Sequence, residues 1–579
     1  MPILLLLLLL IWVPLPLCAA SLSLDVRGLE GDLDRTIRES LVLPELVAGD
    51  DRFNRQRLGA WQRRLPGLVR EILEPYGYFY SSVQSRLEMP AAEEFRLVIE
   101  VDAGEPLRLT SVQVKLLGEG REHAALQQQV DAFPLKAGDT VRQDYYEQGK
   151  GRLRQEAMEA GYLDADFSRH QLRVHLAERR ADIDLALDTG PRYFFGATEF
   201  LVGTYPQAYL ERFVAYRQKE PFSYSLLGKT QIDLMDADLF RWVRVEAQPE
   251  KAVAGEVPVV IEATPLPRHR LRPGVGYGTD TGARVSLQYR LLNIADRAHE
   301  FQGELMLAEW RQTLETTYII PQKQHADSVI LVRLGIDRED IDSFYRLETF
   351  AEAQYRRNLG RGYSGALFMR LMSERSRIAA TDNRARLLLP GLRFGRQRLD
   401  HPLTPTRGYQ AQLELVGSDA RLLSDTSLVQ LSINVAGVQP LRDTLSLIYR
   451  FKGGTTWHRD AFREVPVSLR YFAGGDRSVR GYKYNSLGPE NSEGEIVGGK
   501  HLLEMSLELE RKLLEKWSTA IFYDAGNAFD QPSNFEIKQG AGIGVRYHTP
   551  IGAIRLDLAR QIGEATNRLR LHLSVGGGW

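Results

Sequence analysis

The side chains that could do chemistry in this sequence do not form a known catalytic or metal-binding pattern. The G-x-S-x-G, H-E-x-x-H and P-loop motifs are absent, and the 11 histidines lack the spacing of metal ligands. The 74 basic and 75 acidic residues nearly cancel, which gives no reason to expect nucleic acid as a partner. We therefore expect no enzyme, no cofactor and no metal, and the charged residues must have another purpose.

The end of the chain gives the first indication of that purpose, because its last twelve residues alternate between two kinds of side chain. One phase is apolar and the other polar, which predicts a strand with one apolar face. An aromatic residue at the end of such a strand is typical of a transmembrane β-barrel, and the alternative is a half-buried strand of a soluble sheet. The apolar phase holds Leu569, Leu571, Leu573, Val575 and Trp579, and the polar phase holds Arg568, Arg570, His572 and Ser574.

The same alternation recurs over about 300 residues, from about Leu271 to Trp579. It is clear in 284–291, 429–435, 503–510 and 554–558, where charged or polar residues separate apolar ones. This pattern favours a barrel with lipid outside and a polar lumen. A spanning strand takes roughly 9–11 residues, so with its connections this stretch has room for roughly 14–16 strands.

The first 20 residues predict a secretory signal peptide. An apolar run from Ile3 to Leu17 ends in Cys18-Ala19-Ala20, with small residues at the positions of a cleavage site. Cys18 leaves open a lipoprotein, although Leu17 before it is not the small residue that such processing expects. Cleavage after Ala20 would leave a chain without cysteine, which suits an oxidising periplasm.

Between the signal peptide and the barrel, the sequence repeats itself about every 80 residues. Helical stretches lead into a turn such as Tyr76-Gly77-Tyr78 or Gly161-Tyr162, which is followed by two strands. A period of this length fits small α+β domains in tandem rather than a solenoid. We expect three such domains, at 21–108, 109–193 and 194–267, and a barrel at 268–579.

Three motifs of the barrel resemble, in order and spacing, those of a known superfamily. They are GDRSVRGYKYNSLG at 475–488, FYDAG at 522–526 and GAGIGVRYHTPIGAIRLDLA at 540–559. The superfamily contains outer-membrane assembly factors and two-partner-secretion transporters, and the leading domains resemble its polypeptide-transport-associated (POTRA) domains. Three POTRA domains on a chain of this length are most similar to the TamA family of the translocation and assembly module. The resemblance implies an antiparallel barrel of 16 strands.

The resemblance also implies a lid inside the barrel. Val479, Arg480, Gly481 and Tyr482 would tip an extracellular loop that folds into the lumen, where Arg480 would meet Asp524 on the wall, beside Phe522 and Gly526. A guanidinium and a carboxylate can form a directional, bidentate pair. The alternative is that Arg480 is a solvated loop charge. We expect a partly hydrated lumen to weaken the pair, and we expect Arg546 and Asp557 to pair as scaffold only.

The other implied feature is a lateral gate, at the seam between the first and last barrel strands. The first strand is expected near Leu271–Gly278 and the last at Arg568–Trp579, with Gly576, Gly577 and Gly578 near its end. Glycine weakens a strand, so this end should pair poorly and bend away from the wall. A frayed C-terminus is the alternative reading.

The function that the resemblance implies is assembly of other membrane proteins. The chain would sit in a bacterial outer membrane with its POTRA domains in the periplasm. There it would insert or secrete autotransporter-type barrels through the gate, together with an inner-membrane-anchored, TamB-like partner. Phospholipid transport to the outer membrane with the same partner, a two-partner-secretion-type export pore and a passive channel remain as alternatives.

Overall fold

The computed structural model describes most of the chain, in seven stretches. The predicted signal peptide and the glycine end Gly576–Trp579 lie outside them. The described residues are 21–41, 55–91, 94–322, 327–401, 404–549, 552–564 and 568–575. No helix in these stretches is long and apolar enough to cross a membrane.

In its described residues, the first N-terminal domain is a three-stranded sheet covered by two helices. Its strands have the order β1-β3-β2, with β1 parallel and β2 antiparallel to the central β3. Apolar residues from the second helix and the central strand, such as Leu65, Val69, Leu97 and Ile99, form its core. The elements are β1 (Ser21–Arg27), α1 (Gly31–Ser40), α2 (Arg55–Leu73), β2 (Ser82–Ala91) and β3 (Glu94–Asp102).

The same arrangement occurs twice more, with sheet orders β4-β6-β5 and β7-β9-β8. The predicted tandem α+β domains are therefore present, and β4 begins one residue before the expected start of the second domain. The second domain has β4 (Arg108–Leu117), α3 (Ala124–Asp131), α4 (Gln143–Glu159), β5 (Asp166–His175) and β6 (Arg180–Asp188). The third has β7 (Phe194–Leu201), α5 (Gln207–Leu210), α6 (Tyr224–Asp236), β8 (Phe240–Ala247) and β9 (Glu256–Pro265).

In the first two domains, the turn after the second helix forms a backbone hydrogen bond with the segment that leads into the next domain. Gly77 and Gly161 have φ of +91° and +95°, a conformation that glycine adopts without steric cost. Their carbonyls accept hydrogen bonds of 2.8 Å from the N–H groups of Leu107 and Tyr193. In the third domain Asp238 takes the corresponding place with φ of +51°.

Residues from His269 onward form a closed antiparallel barrel of 16 strands, as predicted. The first strand begins two residues before the predicted Leu271, and the last described strand is Leu569–Val575. The strands are β10 (His269–Gly278), β11 (Gly282–Ile294), β12 (His299–Ala308), β13 (Arg311–Pro321), β14 (Ser328–Ile341), β15 (Phe344–Gly360), β16 (Tyr363–Ile378), β17 (Thr381–Leu399), β18 (Gly408–Ser418), β19 (Leu428–Arg442), β20 (Leu445–His458), β21 (His501–Lys512), β22 (Trp517–Phe529), β23 (Lys538–Thr549), β24 (Gly552–Ile562) and β25 (Leu569–Val575).

The alternation of the sequence separates the two faces of this wall. Apolar residues such as Val285 and Leu571 point outward and are more than half exposed, at 56% and 55%. Charged or polar residues of the other phase, such as Glu352, Arg546 and His572, are buried inside. This is the distribution of a barrel that has an apolar outside and a polar lumen.

Candidate functional site

The long connection between β20 and β21, residues 459–500, forms a loop inside the barrel, and we call it the lid loop. Its tip holds the Val479–Tyr482 motif, whose side chains are buried. Val479 and Tyr482 pack in a small apolar cluster with Ala473 and Leu487. The motif that the sequence singled out is therefore enclosed by the barrel rather than exposed on a surface.

Arg480 binds Asp524 on β22 through both ends of the carboxylate. Its Nε lies 2.7 Å from Oδ2 and its Nη2 lies 3.0 Å from Oδ1, while its backbone N–H donates to Oδ2 at 3.1 Å. The guanidinium also lies over the ring of Phe522, 3.4 Å from the centroid, a cation–π arrangement. The structure thus brings together Arg480, Asp524 and Phe522, and Arg480 is not a solvated loop charge.

Two further carboxylates complete the surroundings of Arg480. Its Nη1 lies 2.8 Å from Glu508 on β21 and 3.0 Å from Asp557 on β24. Arg546 on β23 binds the same two carboxylates, Glu508 at 2.8 Å and Asp557 in a shorter contact. Two arginines and three carboxylates therefore form one network, which we call the lid network.

The lid network corrects two expectations. Arg546 and Asp557 do pair, but Asp557 also binds Arg480 of the lid loop and is therefore not scaffold alone. The pair itself is more deeply buried than expected for a partly hydrated lumen, because Arg480 is 2% exposed and Asp524 is 0% exposed. Removing one member of such a buried pair typically costs about 3–5 kcal/mol, since it leaves a charge uncompensated. The sequence analysis did not identify Glu508. This residue belongs to the polar phase of β21, which pairs with the strand β22 that carries Asp524.

The backbone at the tip of the lid loop also depends on close contacts. Gly481 has φ of +99° and donates its N–H to Nε2 of His572 at 2.9 Å. A Cβ at Gly540 would lie 2.0 Å from the carbonyl oxygen of Arg480, so the wall strand β23 approaches the lid backbone directly. Gly526, predicted as a lid partner, instead allows β22 and β21 to come close to each other, because a Cβ there would lie 2.4 Å from the carbonyl oxygen of Leu503 on β21.

The seam between β10 and β25 is short. The two strands pair only at Tyr277–Val575 and Gly278–Ser574 among the described residues. By comparison, seven positions pair between β24 and β25, and 16 pair between β16 and β17. Among the described residues the seam is therefore shorter than the other strand pairs, as predicted. Gly576–Trp579, for which a bend is predicted, lie outside the described residues.

A few further bonds reinforce the seam. The backbone N–H of Thr279 donates to the carbonyl of Leu573 at 3.0 Å, and Arg284 on β11 reaches over Gly276 to the carbonyl of Val575 at 2.9 Å. A Cβ at Gly276 would lie 2.7 Å from Nε of Arg284, so glycine leaves room for this reach. A side chain and a turn residue thus add to the two backbone pairs of the described seam.

The lid network and the seam face the same internal cavity, of about 440 Å³. Its walls include Arg480 and Glu508 from the lid network, and Gly278, His572 and Ser574 from the seam. The two regions are therefore neighbours in the lumen.

Comparisons with known proteins agree with this architecture. The Omp85 superfamily domain matches residues 308–579, and the first POTRA domain of TamA matches residues 23–103. The crystal structure of BamA from Haemophilus ducreyi lacking POTRA domains 1–3 has the same fold, with a TM-score of 0.68 and 16% identity. The match covers 81% of this chain and 99% of that chain.

Curated relatives are similar over shorter stretches. The outer membrane protein assembly factor BamA of Nitratidesulfovibrio vulgaris is 26% identical over 173 residues, 28% of this chain and 22% of the relative. BamA of Neisseria meningitidis serogroup B is 31% identical over 150 residues, 24% of this chain and 18% of the relative. The chain thus matches about a fifth of the length of each. Together with these relatives, the two matches show that the chain carries an Omp85 superfamily domain at residues 308–579 and, ahead of it, a TamA-type POTRA domain at residues 23–103.

Proposed function

We propose that this protein is a non-enzymatic assembly factor of a bacterial outer membrane, which inserts or secretes β-barrel proteins through the seam between β10 and β25. The observation that carries the proposal is the contrast in strand pairing around one barrel. Among the described residues, two positions pair at the seam, whereas seven or more pair between each two other neighbouring strands.

The energetics of a lipid environment favour opening at this place. An unpaired backbone polar group in hydrocarbon costs several kcal/mol, so a fully paired strand interface cannot open at a useful rate. The described part of the seam, with two paired positions, has few such bonds to break. Once open, the free edges of β10 and β25 offer backbone donors and acceptors to an incoming strand, which is β-augmentation.

The N-terminal domains supply the rest of the proposal. The TamA-type match at residues 23–103 supports a role within the translocation and assembly module. In that role the POTRA domains extend into the periplasm and bind an inner-membrane-anchored, TamB-like partner, and autotransporter-type barrels are the clients. The lid network argues against a passive channel, because it fixes a buried loop inside the lumen.

The test is reconstitution of the full-length protein in liposomes, with two substrates offered separately. The first is an unfolded autotransporter barrel, whose insertion is followed by its heat-modifiable migration in gels. The second is a fluorescent phospholipid, whose transfer from donor vesicles is followed by dequenching. Each is measured with and without the TamB-like partner, and protein-free liposomes are the control.

Faster insertion of the barrel than in protein-free liposomes supports the proposal. Accelerated phospholipid transfer without accelerated insertion would contradict it and would make lipid transport the function.

A further inference from the structure

We propose that Asp476 and His572 are positioning residues that clasp the seam shut through the lid loop, so that release of the lid and opening of the seam are one event. The proposal deepens the proposed function, because it takes the seam as the gate. The clasp consists of Asp476 in the lid loop, His572 on β25, and Thr279 and Asp280 in the turn after β10.

On the β25 side, the lid loop holds both nitrogens of one imidazole. Nε2 of His572 accepts the N–H of Gly481 at 2.9 Å, so this nitrogen carries no proton. The proton of the neutral ring is therefore on Nδ1, which donates to the carboxylate of Asp476 in a short contact. His572 is 3% exposed, so water competes little for either bond.

On the β10 side, the same residue of the lid loop reaches the opposite strand. The hydroxyl of Thr279 donates to both oxygens of Asp476, at 2.8 and 3.0 Å. The backbone N–H of Asp476 in turn donates to the carboxylate of Asp280 at 2.6 Å. One residue of the loop thus bonds to both sides of the seam, beside the two backbone pairs.

This cluster is better explained as a clasp than as a cation site. Asp280, Asp476 and His572 do offer ligand atoms within 4.8 Å of one another. Both imidazole nitrogens already have hydrogen-bond partners, however, and Asp476 already accepts from Thr279 and His572. A cation would have to break bonds that join the lid to the wall.

The lid network makes the clasp depend on Arg480. Arg480 lies four residues after Asp476 and anchors the loop to β21, β22 and β24, but it does not bind β10 or β25 in the described structure. If the loop leaves the wall at Arg480, Asp476 and Gly481 leave with it, and both strands at the seam lose the bridge that runs through the lid loop. Substitution of Arg480 should therefore loosen a seam that it does not touch.

The experiment measures the width of the seam directly, in the full-length protein in lipid nanodiscs. Cys18 is the one cysteine of the chain, so with Cys18→Ala two spin labels can be placed specifically. Val275→Cys and Leu571→Cys put labels on the outer face at either side of the seam, where both residues are exposed. Met505→Cys and Ile521→Cys label the fully paired β21–β22 wall as a control. Distances are read by double electron–electron resonance.

Five variants are compared in both label backgrounds. Asp476→Ala and His572→Phe each remove the clasp, Arg480→Ala removes the anchor of the loop, and Thr279→Val removes one hydroxyl at nearly constant shape. We expect the first three to add a population longer by about 5 Å or more, the spacing of one strand. Thr279→Val should give a smaller population of this kind, and Thr279→Ser, which keeps the hydroxyl, should restore the wild-type distance. The control distance should not change in any variant.

Three results would overturn the clasp. The first is an unchanged seam distance in both Asp476→Ala and His572→Phe. The second is an unchanged distance in Arg480→Ala when protease cleaves its lid loop, which would show that loop and seam move separately. The third is equal distances in Thr279→Val and Thr279→Ser at a widened seam, because the hydroxyl would then be irrelevant.

The readout contains no client protein, so the clasp and the proposed function can fail independently. The seam can also be locked by a disulfide between Gly278→Cys and Ser574→Cys, two positions that lie opposite each other. A seam that widens in Asp476→Ala, together with client insertion that this lock leaves intact, supports the clasp and contradicts the gate. An unchanged seam distance, with insertion blocked by the lock, overturns the clasp and leaves the gate in place.

Discussion

Two neighbouring regions of the barrel are built in opposite ways. From β21 to β24, each strand pairs with the next at 10 to 12 positions, and the inner face carries the buried lid network. One strand further along, β25 meets β10 at two described positions. The short pairing is therefore confined to the described seam between β25 and β10, because the neighbouring strands β21 to β24 are paired along most of their length.

The residues at the seam explain why its pairing is weak. The inner phase of β10 holds Gly274, Gly276 and Gly278, which contribute no side chains to a lumen that is otherwise filled with charged groups. Arg284 uses the space above Gly276 to reach β25. The wall that carries the lid network uses glycine differently, since Gly540 lets the lid backbone approach the strand. Glycines thus leave the seam with few packed side chains, whereas at β23 a glycine allows close contact between the wall and the lid loop.

The largest effect should come from breaking the strong region with Arg480→Ala. This change leaves Asp524, Glu508 and Asp557 without the cation that they share, and we expect it to weaken attachment of the lid loop by about 3–5 kcal/mol. Limited proteolysis should cut the loop within residues 475–488, whereas the barrel should keep its heat-modifiable migration. Arg480→Lys retains the charge but not the bidentate fork, so its lid loop should be cleaved faster than in the wild type and more slowly than in Arg480→Ala. A loop as resistant as in the wild type would show that the network does not hold it.

A smaller effect should follow from Gly540→Ala, which tests whether backbone contact also holds the lid. The new Cβ would lie 2.0 Å from the carbonyl oxygen of Arg480, so the loop must shift. Overpacking of this kind costs typically about 1–3 kcal/mol. Proteolysis of the lid loop should be faster than in the wild type and slower than in Arg480→Ala. Gly365→Ala is the matched control on β16, where a Cβ would have ordinary contact only. Equal protection of both variants would contradict the close approach.

The smallest effect concerns Glu159, in the N-terminal domains and outside both regions of the barrel. Burial alone would raise the pKa of Glu159, but hydrogen bonds from Ser223 and Ser225 outweigh it, and the pKa lies below its usual value. A lowered pKa stabilises the fold above the ordinary carboxyl pKa, and that contribution is lost as the pH falls through the lowered pKa.

Because Glu159 is partly exposed, we expect about 1 kcal/mol or less. Thermal unfolding of the N-terminal domains should show Glu159→Gln less stable than the wild type at pH 7, with the difference closing as the pH falls below about 4. A difference that does not depend on pH would exclude the charge of Glu159 as its source. The seam distance should be the same in both proteins.

The sequence predicted the fold closely, because the signals that specify it are local and repeated. Alternation with a period of two marked the strands, and the repeated turns at Gly77 and Gly161 marked the domains. The number of strands could not be predicted from the alternation alone. Periodicity allowed roughly 14–16 strands, and only the resemblance implied 16, since the length of a connection does not follow from alternation.

The candidate site was predicted in part. The resemblance implied that Arg480 meets Asp524. It did not show that Glu508 and Asp557 complete a shared, buried network, because that depends on the register of four strands. For the same reason the sequence did not indicate the clasp. Asp476 and His572 are 96 positions apart, and nothing in their local sequence brings them together.

The central claim, that the seam is a gate, is tested most directly by locking it. Gly278 and Ser574 lie opposite each other, so Gly278→Cys with Ser574→Cys, in a Cys18→Ala background, places a disulfide across the seam. Gln302→Cys with Thr317→Cys places one across the paired strands β12 and β13 as a control. In liposomes we expect the oxidised seam variant to lose client insertion and to regain it on reduction, while the control inserts clients in both states. Normal insertion by the fully oxidised seam variant would contradict the gate.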